Sequence, residues 1–150
     1  MPDRKSRKPS YTLDVVLLTA VGGQLAVLLS RSPEGREKWM TPWDAQRPAE
    51  TMEACAMRIA KSALAGELTW IEQVGAFGDG KRHPSDADIS VGFVGLVPSG
   101  TPSPVGGVYA WFPVSDVPQL TPRQRSILDG AITLIRGRMD QSPVAFRLLP

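Results

Sequence analysis

The 150-residue chain holds one cysteine, Cys55, and one histidine, His83. A lone cysteine excludes an intrachain disulfide and fits a reducing compartment. Cys55 falls on the apolar side of an expected helix, so a buried structural thiol is expected. Nothing in the sequence ties it to His83, which argues against a cysteine nucleophile. No apolar run reaches membrane-spanning length. The amino end is charged without a following hydrophobic segment, so no signal peptide is expected and the location is expected to be cytoplasmic. There is little charge excess, +2 in all. Much of it sits in Arg4, Lys5, Arg7 and Lys8, with no aromatic residue interleaved. Residues 1–10 therefore read as a disordered basic tail; the alternative is a weak electrostatic tether to nucleic acid or an acidic partner. No internal repeat is present.

Apolar residues at 42% and charged residues at 21% are values of a globular domain, expected over residues 11–150. Tyr11 to Val21 reads as a buried strand, Gly22-Gly23 as a tight hairpin turn, and Gln24 to Ser30 as the returning strand. Further strands are expected over Leu68–Phe77, Ile89–Val97 and Val108–Pro113. Gly78 to Asp88 and Pro98 to Gly107 read as loops, the second a mobile surface loop. Thr121-Pro122-Arg123-Gln124 reads as a helix start with proline at the first helical position and a Thr/Gln capping box. That helix runs to about Met139 and buries Ile127, Leu128, Ala131, Leu134 and Ile135.

The chain is organised around Trp39 to Gly66. Pro42 and Pro48 keep the first part out of regular structure. Thr51 is the expected N-cap of a helix, with Glu53 in the first turn where a carboxylate suits the helix dipole. Met52, Cys55, Ala56, Ile59, Ala60 and Ala63 recur at helical spacing, and Gly66 suits the C-terminus. This stretch resembles the signature box of the Nudix hydrolase superfamily, G-x5-E-x7-R-E-U-x-E-E-x-G-U. Glu50 falls on the first box glutamate and Arg58 on the box arginine, seven residues intervening. Trp39 and Pro42 match the W-x-x-P that precedes the box in the ADP-ribose pyrophosphatase-like branch. The box is degenerate: Asp44 stands for its first glycine and Ala65 for its second. Ile59, Ser62 and Ala63 replace the three glutamates that hold magnesium against a diphosphate in active members. Those positions share one helix face, and hard cations need several oxygen ligands there.

The resemblance extends beyond the box. Tyr11 to Val16 is similar to the branch's opening strand. Phe77-Gly78-Asp79 with Arg82 and Ile89-Ser90-Val91 is similar to its F-G-D-x-x-R…V-S-V segment. Trp111-Phe112-Pro113-Val114 matches its W-F-P-V. Pro143 to Pro150 matches its closing T-P-V-A-F-x-L-L-P. It implies an α/β class and the Nudix fold, a mixed β-sheet between helices. In relatives such as NrtR-type regulators of NAD metabolism the closing motif leads into a winged-helix domain. Here the sequence stops at Pro150, so no direct DNA binding by this chain is expected.

The resemblance implies no metal site of the usual kind and no cofactor, with magnesium returning only if a residual hydrolase persists. The expected ligand-binding set is Arg31, Trp43, Asp44, Glu50, Arg58 and Arg82; Asp44 and Glu50 are the candidates for any catalysis. Guanidinium forks suit phosphate, which singles out Arg31, Arg36 and Arg82; solvated surface is the alternative. Glu50 and Arg58 read either as a helix-capping pair or, with Asp44, as a rebuilt site. Trp43 either fills the old substrate cleft or stacks on its occupant. His83 reads as an exposed loop histidine, with a general base as the alternative. Trp39, Trp70 and Trp111 read as core. Three functions follow: a non-hydrolytic binder of a nucleotide-like metabolite or protein partner, a repurposed enzyme, or a residual diphosphate hydrolase. A homodimer is compatible with each.

Overall fold

The computed structural model describes residues 8–33, 37–66, 68, 70–101 and 107–139. Most of the basic tail, Arg36, part of the Pro98–Gly107 loop and the closing Pro143–Pro150 motif lie outside the described residues. The elements in chain order are β1 (Tyr11–Val21), β2 (Gln24–Arg31), β3 (Trp39–Met40), β4 (Trp43–Asp44), α1 (Met52–Ala63), β5 (Trp70–Phe77), β6 (Ile89–Leu96), β7 (Tyr109–Pro113) and α2 (Pro122–Met139). The expected strands and helices are found within two residues of their expected ends.

The strands form one seven-stranded mixed sheet in the order β3-β2-β1-β6-β5, with β4 added to β1 and β7 to β2. β1 and β6 run parallel, Tyr11 opposite Ile89 through Leu18 opposite Leu96. Gly22 and Gly23 turn the β1–β2 hairpin at φ +58° and +81°, angles a side chain resists. Alternation then sorts each strand between two cores. Leu13, Val15, Leu17, Leu28 and Phe93 face α1 with Cys55, Ala56, Ile59, Ala60 and Ala63. Val16, Leu18, Val27, Leu29 and Val94 face α2 with Ile127, Leu128, Ala131 and Ile135. The sheet is thus sandwiched between the helices. α2 lies so close that a Cβ at Gly92 would come within 2.8 Å of Ile127.

Two details differ from the sequence reading. The Trp39–Asp44 segment is not wholly irregular. β1 pairs β2 only near the turn, through Leu18 to Val21. Where the hairpin opens, the segment enters as a wedge: β3 pairs Ser30 and Arg31, and β4 pairs Leu13 and Asp14. Pro42 has no N–H to offer, but its carbonyl accepts the Val15 N–H at 2.9 Å. The other detail is the end of α1. It stops at Leu64 in extended conformation, whose N–H bonds the Ala60 carbonyl, and Gly66 is not its cap.

Candidate functional site

The wedge, the turn after it and α1 build a small site on the α1 side of the sheet. Thr51 caps α1, its Oγ1 accepting the Ala54 N–H at 3.0 Å. A turn brings Glu50 to the mouth of the helix: the Glu50 N–H reaches the Arg47 carbonyl, and Glu50 Oε1 accepts the Arg47 N–H. Gln46 donates to the Glu50 carbonyl and accepts from the Tyr11 hydroxyl, which ties this turn to β1.

Arg58 projects from the middle of α1 into these carboxylates. Its Nε donates to Glu50 Oε2 at 2.8 Å and its Nη2 to Oε1 at 3.0 Å, a two-pronged pairing. Its Nη1 donates to Asp44 Oδ2 at 2.7 Å, and Nη2 also approaches the Ala45 carbonyl and Cys55 Sγ. The Arg58 hydrogen bond holds the Glu50 carboxyl down to about 2. Glu50 and Asp44 in turn hold the guanidinium pKa above its usual value. Burial, reinforced by Glu50, pushes the Cys55 thiol up to about 11, so the buried cysteine is kept as a thiol.

The sign of the Glu50 effect sets a pH dependence. A carboxyl lowered from its ordinary 4.5 to about 2 on folding stabilises the fold fully above the higher value. The contribution is lost as pH falls through the window between the two. Glu50→Gln should therefore flatten the acid limb of the stability profile between those pH values, read from Tm against pH. An unchanged acid limb would reject the pairing.

Beside this cage lies a cleft of about 140 Å³, bordered by Met40, Asp44, Arg58, Ile59, Ser62 and Tyr109, with Ser30, Pro42 and Trp43 completing it. Of the three helix positions singled out in the sequence, Ile59 and Ser62 reach the cleft. Ala63 is 1% exposed and packs against the sheet. The Ser62 hydroxyl donates back to the Arg58 carbonyl at 3.0 Å.

The six expected ligand residues divide across the sheet. Asp44, Glu50 and Arg58 come together on the α1 side. Arg31, Trp43 and Arg82 do not join them. Trp43 pairs with Asp14 and Asp44 with Leu13, and opposed residues share a face, so the indole lies on the α2 side. It packs edge-on against His83, ring centroids 5.1 Å apart, and its buried Nε1 has no partner among the described residues. Trp43 borders the cleft without filling it. Arg31 lies over the Trp39 ring at 4.8 Å and donates to the Gly107 carbonyl. Arg82 is ion-paired with Glu37, which raises its pKa. It borders a different cleft, of about 390 Å³, between the Gly78–Asp88 loop and Arg123.

His83 corrects the sequence reading outright: it is 1% exposed. Its Nδ1 accepts the Ser85 N–H at 3.0 Å, which leaves Nε2 to donate to Asp14 Oδ2 at 2.7 Å. Asp14 is fully buried and also accepts from Thr12 at 2.6 Å and Gln124 Nε2 at 2.8 Å. Gln124 clasps the wedge as a second strand would, accepting the Thr41 N–H at 3.0 Å and donating to its carbonyl at 3.1 Å. Arg123 extends the layer through Ser90 to Thr12. This buried polar layer under the wedge went unseen in the sequence.

No family model matches the chain, and no curated protein matches it in sequence. Solved structures do match. Shewanella oneidensis NrtR superposes with a TM-score of 0.76 at 21% identity, over 86% of this chain and 64% of that one. A MutT/nudix family protein from Enterococcus faecalis gives 0.76 at 21%, over 99% and 69%. The NUDIX domain of Shewanella oneidensis NrtR complexed with ADP ribose gives 0.68 at 23%, over 92% and 94%. The chain has the Nudix fold. It spans less than two-thirds of the length of the NrtR chain. Among the described residues, no helix is long and apolar enough to cross a membrane.

The cage around Arg58 lies at the mouth of α1. Among the described residues, no three His, Cys, Asp or Glu side chains converge as a metal site would require.

Proposed function

We propose that this Nudix-fold domain binds a nucleotide-like metabolite without hydrolysing it, its box being degenerate. The observation that carries the reading is the state of the acidic groups at the mouth of α1. Asp44 and Glu50 are the carboxylates that meet Arg58, and it holds both; Glu53 lies in the exposed first turn. Ile59, Ser62 and Ala63 add one hydroxyl between them. A magnesium ion takes oxygen ligands in near-octahedral order and is usually anchored by free carboxylates; this donor set does not fit it. Metal-assisted phosphoryl chemistry relies on the cation as Lewis acid and template, so hydrolysis is not supported here.

The ligand class follows from the structural neighbour whose Nudix domain is complexed with ADP ribose. This chain has a cleft beside α1, which supports a bound rather than a cleaved nucleotide-like group. In the test, ADP-ribose is incubated with the protein in magnesium or manganese, and binding is titrated calorimetrically in EDTA. The expected result is no turnover above background together with a measurable heat of binding. Robust turnover abolished by chelator would overturn the reading, as would no binding by any nucleoside diphosphate derivative.

A further inference from the structure

The geometry of the cleft beside α1 points to the part of the ligand it takes. We propose that it holds a neutral group with two adjacent hydroxyls, of the ribose type, and not a phosphate. The inference rests on the reading above and narrows it.

Size sets the first limit. Sites for whole ligands run to about 300–1,000 Å³, whereas this cleft has about 140 Å³. A protein cavity of about 150 Å³ takes up one benzene, so the space matches the bulk of one small ring.

Charge sets the second. The Asp44 side chain is 50% exposed and borders the cleft. Its Oδ1 accepts the Ala45 N–H at 2.8 Å and its Oδ2 accepts Arg58. A carboxylate offers about four acceptor sites, so two stay open. Among the described residues Arg58 is the one cation bordering the cleft, and its guanidinium is committed to Asp44 and Glu50. Of the expected phosphate contacts, Arg31 and Arg82 do not border it, and Arg36 lies outside the described residues. A phosphate without a metal would face the Asp44 carboxylate unscreened. A vicinal diol brings two O–H donors to the same carboxylate, a pairing acidic side chains make with ribose in other folds. The Ser62 hydroxyl, already donating to Arg58, has lone pairs left to accept from a sugar hydroxyl. Met40, Ile59 and Tyr109 supply apolar walls for the C–H face of the ring.

The test compares adenosine, 2′-deoxyadenosine, AMP and ADP-ribose by calorimetry on the full chain in EDTA. Losing a hydroxyl bonded to a charged acceptor weakens binding by about tenfold or more, so 2′-deoxyadenosine should fall below adenosine by that factor. AMP should bind no tighter than adenosine. Asp44→Asn should cost adenosine a similar factor. Ser62→Trp, at an exposed helix position, should block the cleft while leaving the Tm near wild type, and serves if the Asp44 variant does not fold. Equal binding of the deoxynucleoside, or AMP tighter than adenosine by about tenfold, would overturn the inference. ADP-ribose binding without any nucleoside binding would overturn it and leave the broader reading standing. Failure of all four would reject both.

Discussion

Arg123→Met should lower the folding free energy by about 3–5 kcal/mol, the cost of breaking a buried charge network from one side. Arg123 is 1% exposed. Its Nε donates to Asp79 Oδ1 at 2.9 Å, Nη1 to Ser90 Oγ at 3.2 Å and the Ala87 carbonyl at 3.3 Å, and Nη2 to the Asp88 carbonyl at 2.9 Å. Methionine fills similar volume and returns none of these donors, so two carbonyls and a hydroxyl lose partners under α2. Burial alone would raise the Asp79 carboxyl, but the Lys81 N–H and Arg123 outweigh it and leave it lowered; the variant removes one of those two supports. The loss should not stop there. Ser90 passes the contact to Thr12 and Thr12 to Asp14, the carboxylate that holds His83 and Gln124. In a chain of this size 1 kcal/mol moves the Tm by about 2–4 °C, so thermal melts should show a drop near 10 °C. Arg125→Ala is the control: its ion pair with Asp129 one turn on joins side chains 46% and 58% exposed, and such pairs contribute about 1 kcal/mol or less. Equal effects of the two substitutions would refute the ranking.

The architecture was readable where the local signals agree. The apolar run of β1 ends at a glycine pair, and α1 and α2 each begin on a threonine that caps them. Strands of two residues carry no pattern. Trp39–Met40 and Trp43–Asp44 exist because the open end of the β1–β2 hairpin leaves unpaired backbone for them to dock on, a tertiary cause. The end of α1 at Leu64 is likewise a matter of packing; glycine offers a stop without enforcing one.

The candidate site was legible by half. Glu50 and Arg58 sit where a helix mouth favours a charge pair, and they meet. The placing of Arg31 and Trp43 on the far face of the sheet follows from strand parity: Leu28 and Ser30 share one face of β2, Leu29 and Arg31 the other. The same parity held a clue to the buried polar layer. Thr12 and Asp14 occupy alternate positions of a strand that is apolar from Val15 to Leu18, and the first residues of α2 put Arg123 and Gln124 on its buried side. What no pattern supplies is the partner. His83 lies 69 residues from Asp14, and only the fold brings a turn-rich loop onto a strand to bury an imidazole against a carboxylate.

Placing glutamate at Ile59, Ser62 and Ala63 together should produce a protein that melts far below wild type in EDTA and recovers partly in magnesium. Ser62 is exposed and should accept the change with little effect. Ile59 and Ala63 are 5% and 1% exposed and pack with Leu13, Val15 and Val97 between α1 and the sheet. A carboxylate there loses water without a donor to replace it, a penalty of several kcal/mol, and its pKa should rise to match. A cation bound by the new carboxylates stabilises only the folded state, by about 2.7 kcal/mol at a hundred times its dissociation constant. Recovery should therefore follow magnesium concentration and stay incomplete. Wild-type Tm should be flat in the same titration. The measurement is differential scanning calorimetry of both proteins across magnesium at fixed ionic strength. A wild-type Tm that climbs with magnesium would reveal a cation site in the native residues. A triple variant as stable as wild type in EDTA would show that Ile59 and Ala63 do not sit in the core.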